Sequence, residues 1–321
     1  MINTGIVGGA GYVGGEVIRL ILNHPQIDIK YVSSRSQAGK ALHEVHRDLL
    51  GSTELRFSDS YDTDVDVLIL CMGHGKSSEY LQKVEVSENT AIIDLSRDFR
   101  LKDDAGDFVY GLCEMNKNDI KGSKRIANPG CFATCIQLAL LPIAKANKLN
   151  SAVHVTAITG STGAGQKPVS TTHFSWRNNN ISIYKPFTHQ HLGEITQSVT
   201  ELQPSFDQDI NFIPMRGDFT RGIFASVYFD SDLSQDTAVD IYKQYYADSP
   251  FVHISNAPIS VKDVVNTNNG YLYVSKHGSK LRIESAIDNL QKGAAGQAIQ
   301  NLNLVFGYPE DLGLRLKPSA F

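Results

Sequence analysis

Ile2-Asn3-Thr4-Gly5-Ile6-Val7-Gly8-Gly9-Ala10-Gly11-Tyr12-Val13-Gly14 opens with an apolar strand that runs straight into a glycine loop. Beyond the loop, Val13, Val17, Leu20 and Ile21 recur at helical spacing, which predicts a helix over residues 12–22. Ile27 to Val32 is then a second strand. Strand, helix and strand in alternation imply a parallel sheet. The loop spells G-x-x-G-x-x-G rather than the commoner G-x-G-x-x-G, and alone it is weak evidence. Its place between a strand and a helix gives it force. Glycines let the backbone approach a pyrophosphate, which the helix N-terminus then binds. Gly8, Gly11, Tyr12, Val13 and Gly14 are therefore candidate cofactor contacts, and the competing reading is a plain tight turn.

A dinucleotide site that prefers NAD ends its second strand in Asp or Glu. This chain has Ser33-Ser34-Arg35-Ser36 instead. Arg35 stands about 20 residues beyond the glycine loop, where a guanidinium flanked by the Ser34 and Ser36 hydroxyls suits a 2′-phosphate. NADP is the expected cofactor; the alternative for Arg35 is an ordinary solvated loop arginine. Val65 to Leu70 and Thr90 to Leu95 are further strands, leading into Cys71-Met72-Gly73-His74-Gly75-Lys76-Ser77 and Ser96-Arg97-Asp98-Phe99-Arg100. Ligands collect at strand C-termini in such sheets, so Gly73, His74, Gly75 and Ser96 are expected near cofactor, and Arg97 or Arg100 near an anionic substrate. His74 reads equally as a polar loop residue, not as a catalytic one.

Pro129-Gly130-Cys131, followed at once by Phe132-Ala133-Thr134-Cys135-Ile136-Gln137-Leu138-Ala139-Leu140-Leu141, puts a thiol where a helix begins. The helix dipole and free amides there favour a thiolate and could later hold an oxyanion. The competing reading is a small buried residue in a tight turn. Cysteines occur only at 71, 113, 131 and 135, too few for a secreted disulfide framework. Cys131 and Cys135 are one helical turn apart, but no second pair of ligands with zinc spacing accompanies them, so no metal is expected.

The 30 basic and 34 acidic residues give a net charge of −4, which offers no cationic surface for a nucleic-acid backbone. A small-molecule partner follows. Met1-Ile2-Asn3 enters the first strand with no basic n-region, and no apolar run reaches bilayer-spanning length, so the cytoplasm is the expected compartment and no membrane partner is expected. At 321 residues, two domains are expected.

The second half has another texture. Val153 to Ile158, Ile210 to Ile213, Ile223 to Phe229, Tyr271 to Val274 and Leu281 to Ile287 read as strands with few helices between them, suggesting a mainly antiparallel sheet with helices on one face. Lys292 to Val305 carries small and apolar residues at helical spacing, fitting either core packing or closure over a nicotinamide. Thr159-Gly160-Ser161-Thr162-Gly163-Ala164-Gly165-Gln166-Lys167 clusters N–H, hydroxyl and ammonium donors, a phosphate cradle or a flexible turn. His189-Gln190-His191 supplies two imidazoles ahead of a helix expected from about Gly193. In an extended segment both rings point to one face, and either could exchange a proton with the thiol.

The motifs together resemble the N-acyl-γ-glutamyl-phosphate reductase family of arginine biosynthesis, relatives of the aspartate-semialdehyde and glyceraldehyde-3-phosphate dehydrogenases. The resemblance runs nearly end to end. It is carried by Gly8 to Gly14, Ser34-Arg35-Ser36, Asp94-Leu95-Ser96 with Asp98-Phe99-Arg100, Asn128-Pro129-Gly130-Cys131-Phe132-Ala133-Thr134, Gly160 to Gly165, His189-Gln190-His191, Thr220-Arg221-Gly222 and Asp288-Asn289-Leu290 through Asn303.

It implies a Rossmann-type NADP-binding domain over 1–130 and an α+β catalytic, substrate and oligomerisation domain over 131–290. A C-terminal helix and tail over 291–321 would return to the first domain. Cys131 would be the nucleophile, and His191 or His189 the acid/base group. Arg100, Asn128, Ser161, Gly163 and Arg221 would hold the substrate, Gly163 would contact the cofactor as well, and Asn289 with the Gly293 to Gln297 stretch would face the nicotinamide. A homodimer or homotetramer is implied. The reaction would reduce an acyl phosphate through a Cys131 thioester, which retains an electrophilic carbonyl and a good leaving group.

The sequence departs from the family pattern where Met215 and Asp218 replace His and Pro, Gln190 and Gly193 replace Arg and Pro, and Gln166 replaces Arg. Arg216 adds a cation near Arg221 and raises N-succinyl beside N-acetyl as the acyl group; a surface arginine is the other reading. Two rival functions remain at this point. An aspartate-semialdehyde type of enzyme shares the chemistry, and a non-catalytic NADP-binding sensor would need neither thiol nor histidines.

Overall fold

The alternating apolar runs at the start of the chain fold into a parallel sheet. A computed structural model describes residues 1–60 and 62–319. They divide into one unit of Met1–Pro129 with Ala294–Arg315, and a second of Gly130–Gly293 with the tail from Leu316.

In the first unit the strands are β1 (Ile2–Val7), β2 (Ile27–Ser33), β3 (Phe57–Ser58), β4 (Val67–Leu70), β5 (Ala91–Asp94), β6 (Val109–Tyr110) and β7 (Arg125–Ala127). Their order is β3-β2-β1-β4-β5-β7-β6, and all these pairings are parallel. Every residue of β4 and β5 is buried, as a strand covered on both faces requires. The strand order reverses between β1 and β4, so the loops after Val7 and Leu70 diverge there and leave a crevice. Helices α1 (Tyr12–Ile21), α2 (Leu42–Val45), α3 (Lys76–Leu81) and α4 (Cys113–Lys121) connect the strands. Helix Gly296–Val305 belongs to the same unit and packs on α1 and α4.

The second unit begins with α5 (Cys131–Lys145), whose residues from Phe132 to Ala144 are all buried. A helix apolar on every side belongs in a core, and α5 is packed by α7 (His191–Leu202), α8 (Gln235–Tyr245) and the sheet. Pro142 lies inside it. Proline has no N–H for the carbonyl four residues back, which is Leu138, and the Tyr246 hydroxyl donates to that carbonyl at 2.7 Å. The strands are β8 (Val153–Thr159), β9 (Ser182–Ile183), β10 (Ile210–Arg216), β11 (Ile223–Asp230), β12 (Val252–Ile254), β13 (Gly270–His277) and β14 (Lys280–Ile287), ordered β12-β13-β14-β11-β8-β10-β9. The sheet is mixed: β8 with β10 and β12 with β13 run parallel, and the other four pairings are antiparallel.

Two helix starts differ from the sequence reading. Helix α7 begins at His191, not near Gly193. The segment expected to be helical from Lys292 is a π-helical turn over Gln291–Ala295, and α-helix follows only from Gly296. Among the described residues no helix is long and apolar enough to cross a membrane.

Candidate active site

In the first unit, the end of β1 shapes a cradle. Gly8 has φ +81, a conformation that favours glycine, and donates its amide to Ser33 O at 3.0 Å. A Cβ on Gly14 would lie 2.5 Å from Gly9 O, so α1 starts hard against the loop only because residue 14 is glycine. Gly11 caps α1 in extended conformation with open space around it, and Tyr12 is exposed beside it, followed by Val13. His46, which the sequence reading did not single out, donates from Nε2 to Gly9 O at 2.8 Å and braces the loop from behind.

A cavity of about 550 Å³ opens in front, lined by Gly8, Ser34, Arg35, Ser36 and Gly73 among others. Backbone kept bare by glycine, with a guanidinium and two hydroxyls at the end of β2, fits a dinucleotide bearing a 2′-phosphate. His74 accepts the Arg97 amide on Nδ1 at 3.2 Å.

Ser96, Arg100 and Asn128 are turned inward within this unit. Ser96 is fully buried and donates to Asp94 Oδ2 at 2.7 Å, and burial raises the Asp94 pKa against the opposing pull of Ser77, Ser96 and Arg100. Arg100 is buried and donates from Nε to Asn128 O at 2.8 Å and from Nη2 to Leu95 O at 3.0 Å. Asn128 is fully buried and donates to Ala294 O at 3.1 Å.

In the second unit, Cys131 is the first residue of α5, half-buried, with Gly130 as its extended N-cap. The Gly130 amide donates to Glu194 Oε2 at 2.9 Å, and a Cβ on Gly130 would overlap the His191 ring. On its other side, a Cβ on Gly293 would lie 2.8 Å from the Cys131 Cβ. Two glycines thus admit the thiol and the imidazole to one small space. His191 Nε2 is 4.0 Å from Glu194 Oε1.

His189 is buried against Phe132, Tyr184 and Phe212, and its Nδ1 accepts the His191 amide at 3.2 Å. Burial, with a smaller contribution from Lys185, lowers its pKa to about 4. The two rings stand 4.6 Å apart and nearly perpendicular. They do not share a face of an extended segment, because His191 already starts α7. One turn into α5, Cys135 is fully buried with Sγ 3.4 Å from Ser285 O, and burial pushes its pKa up to about 12.

Next to this space, Ser161–Ala164 forms a 3₁₀ turn, held by the Ser161 amide donating to Phe219 O at 2.8 Å and the Thr162 amide to Thr220 O at 3.1 Å. Gly163 lies in that turn. Asn289 ties the assembly together: its Oδ1 accepts the Gly222 amide at 2.7 Å and its Nδ2 donates to Thr162 Oγ1 at 3.0 Å. Arg221 donates from Nε to the buried Asp288 carboxylate at 3.1 Å. Among the described residues no group of three or more His, Cys, Asp or Glu is placed to hold a metal ion.

A bare glycine cradle on a parallel sheet, together with a thiol at the first position of a helix whose N-cap glycine abuts an imidazole, is the equipment of a cysteine-dependent dehydrogenase. Family profiles agree: residues 3–123 match the semialdehyde dehydrogenase NAD binding domain, and residues 131–289 the semialdehyde dehydrogenase dimerisation domain. Proteins named N-acetyl-gamma-glutamyl-phosphate reductase from Phocaeicola vulgatus and Bacteroides thetaiotaomicron are each 55% identical over 322 residues, covering all of both chains. One from Christiangramia forsetii is 50% identical over 321 residues, with the same coverage.

Among solved structures, aspartate semialdehyde dehydrogenase II from Vibrio cholerae superposes with TM-score 0.73 at 17% identity, over 96% of this chain and 98% of that one. The Candida albicans enzyme solved with NADP gives 0.71 at 15%, over 95% and 98%. The chain belongs to the N-acetyl-gamma-glutamyl-phosphate reductase family of the semialdehyde dehydrogenases.

Proposed function

We propose that this chain reduces N-acetyl-γ-glutamyl phosphate, or a close N-acyl analogue, to the 5-semialdehyde with release of phosphate, in arginine biosynthesis. The observation that carries the reading is Cys131 at the head of α5, with His191 brought beside it by Gly130. The dipole and first amides of a 15-residue helix favour the thiolate. Cys131 Sγ attacks the acyl carbon, the C–O bond to phosphate breaks, and phosphate leaves with the bonding pair. A thioester remains.

Gly8 to Gly14 would hold the pyrophosphate of NADPH and Arg35 its 2′-phosphate; the nucleotide, when bound, would supply the hydride that takes a thioester to the aldehyde level. The α5 amides stabilise the tetrahedral oxyanions. His191 takes the thiol proton, lends it to the tetrahedral oxyanion and takes it back as the C–S bond breaks, which releases the semialdehyde and returns the Cys131 thiolate with the bonding pair; His189, neutral above its low pKa, positions His191 through the amide it accepts. Ser161, Gly163 and Arg221 border the substrate, and Asn289 and Gly293 close the space around Cys131.

The division of labour follows the two units, with nucleotide binding in the first and chemistry and assembly in the second. Val169, Phe174, Trp176, Ile181, Ile183 and Phe187 are all exposed within 169–187, an apolar surface suited to a second copy. We assign the chain to homodimers or tetramers working in the cytoplasm, and sedimentation distinguishes the two states. The test of activity is phosphate-dependent reduction of NADP by N-acylglutamate 5-semialdehydes. The parent should turn over, and Cys131→Ser should abolish turnover while NADPH still binds. Turnover that survives Cys131→Ser would refute the covalent route.

A further inference from the structure

Two arginines of the second unit hold guanidinium hydrogens that nothing in the described chain accepts. Arg177, the last residue of α6 (Phe174–Arg177), is 6% exposed, and its Nε and Nη1 are buried without a hydrogen-bond partner. Only Nη2 is engaged, by Asn180 O at 3.1 Å and Ser182 Oγ at 3.3 Å. Arg216, which ends β10, has a buried Nε in the same condition.

Register brings the two together: β9 sets Ser182 opposite Arg216, so the hydroxyl that Arg177 reaches belongs to the residue facing Arg216. Burial and then the Arg216 charge lower the Arg177 pKa, with only Asp218 opposing them. Asp218 is exposed, and its Oδ2 accepts the Asn179 amide at 2.6 Å. A buried guanidinium with open donors beside a like charge is costly unless an anion completes it. The forked donors match a carboxylate.

The niche lies on the side of the sheet that carries the thiol. Phe212, Pro214 and Arg216 alternate onto one face of β10, and the Phe212 ring is 5.2 Å from Phe132 and 5.5 Å from His189. The Arg216 guanidinium stacks 4.8 Å above Tyr184, whose ring is 5.7 Å from His189. Arg216 also pairs in register with Thr159, at the entrance to the Gly160–Gly165 loop. The substrate read above carries two anionic groups, the phosphate and the α-carboxylate. In that reading the α5 N-terminus and its neighbouring loop suit one and Arg221, which already donates to Asp288, borders the other, and neither role calls on Arg177 or Arg216.

We propose that Arg177 and Arg216 bind a carboxylate at the far end of the substrate's N-acyl group, so that this chain prefers an acyl group derived from a dicarboxylic acid over acetyl. This rests on the acyl-phosphate reductase reading. The test measures phosphate-dependent NADP reduction by full-length enzyme with N-succinylglutamate and N-acetylglutamate 5-semialdehydes. The parent should favour the succinyl substrate by about tenfold or more in kcat/KM. Arg216→Gln and Arg177→Met should each lower the succinyl value by about 10- to 100-fold, through KM, and leave the acetyl value within about threefold. Arg216→Lys should restore part of the loss.

Equal losses on both substrates would place the α-carboxylate or phosphate at the niche and overturn the proposal, as would no loss or an acetyl preference in the parent. Should Arg177→Met fail to fold, Arg216→Gln carries the test alone. If the parent reduces neither substrate, the reductase reading falls. Calorimetry with N-succinylglutamate against N-acetylglutamate then decides the niche by itself, tighter succinyl binding that is lost in Arg216→Gln supporting it and equal binding overturning it.

Discussion

Gly130 gives its amide hydrogen to Glu194 Oε2 at 2.9 Å, so the residue before the thiol is held by a buried carboxylate one turn into the helix that starts with His191. Cys131 and His191 are thereby located by one shared link. Removing it in Glu194→Ala strands a buried amide, at a cost of about 1–3 kcal/mol in stability. Urea unfolding should read that loss, and kcat/KM should fall by about 100-fold if the link sets the thiol geometry. Glu194→Gln keeps an acceptor and should lose less of both.

A methyl group at Gly130 has nowhere to go except into the His191 ring. Gly130→Ala should therefore displace the imidazole and lower kcat by about 100-fold or more while NADPH affinity stays unchanged. Fluorescence titration of the nucleotide and steady-state kinetics on the same preparation check the two halves.

His189 gives the fold an acid-sensitive point. Burial holds its folded pKa at about 4, below the ordinary value of 6.5. Between these values the unfolded chain binds more protons than the folded one, so stability falls as pH drops through that window and is fully present above it. Replacing the imidazole by His189→Gln should flatten this part of the profile relative to the parent. Denaturant melts at pH 4.5 and pH 7 measure the difference, and an unchanged slope would count against a buried neutral ring.

Arg35 lines the cavity at the end of β2, where no acid stands. Arg35→Ala should raise KM for NADPH by about 10-fold or more and leave KM for NADH nearly unaltered, because only the 2′-phosphate is lost as a partner. Paired kinetics with the two nucleotides decide it.

Much of this was legible in the chain, for identifiable reasons. The glycine loop and α1 show themselves because backbone approach demands glycine and the buried face repeats at helical spacing, and α5 because its apolar run has no polar side. Helix α3 has few buried positions, chiefly Ser77 and Tyr80, and so leaves no period to read. Helix α8 did carry a signal, since the Ser234 Oγ accepts the Thr237 amide at 3.1 Å as an N-cap.

Contacts between distant residues were out of reach. His46 reaches Gly9 across 37 positions and Glu194 reaches Gly130 across 64, and no local pattern announces either. Arg100 is named as a substrate ligand from its place after a strand C-terminus and Asn128 from the family resemblance, but their hydrogen bonds to the Asn128 and Ala294 carbonyls depend on the fold and have no local signal.

The four sulfurs are chemically unequal. Desolvation and the Asp94 charge push the half-buried Cys71, which lines the nucleotide cavity, up to about 12, burial does the same for Cys135, and Cys113 is buried inside the first unit. A mild alkylating reagent at neutral pH therefore meets one usable target, Cys131, and a single equivalent of label should silence the protein. The same inequality removes any resolving partner one turn away, so peroxide would carry Cys131 up the oxidation ladder without the shelter of an internal disulfide.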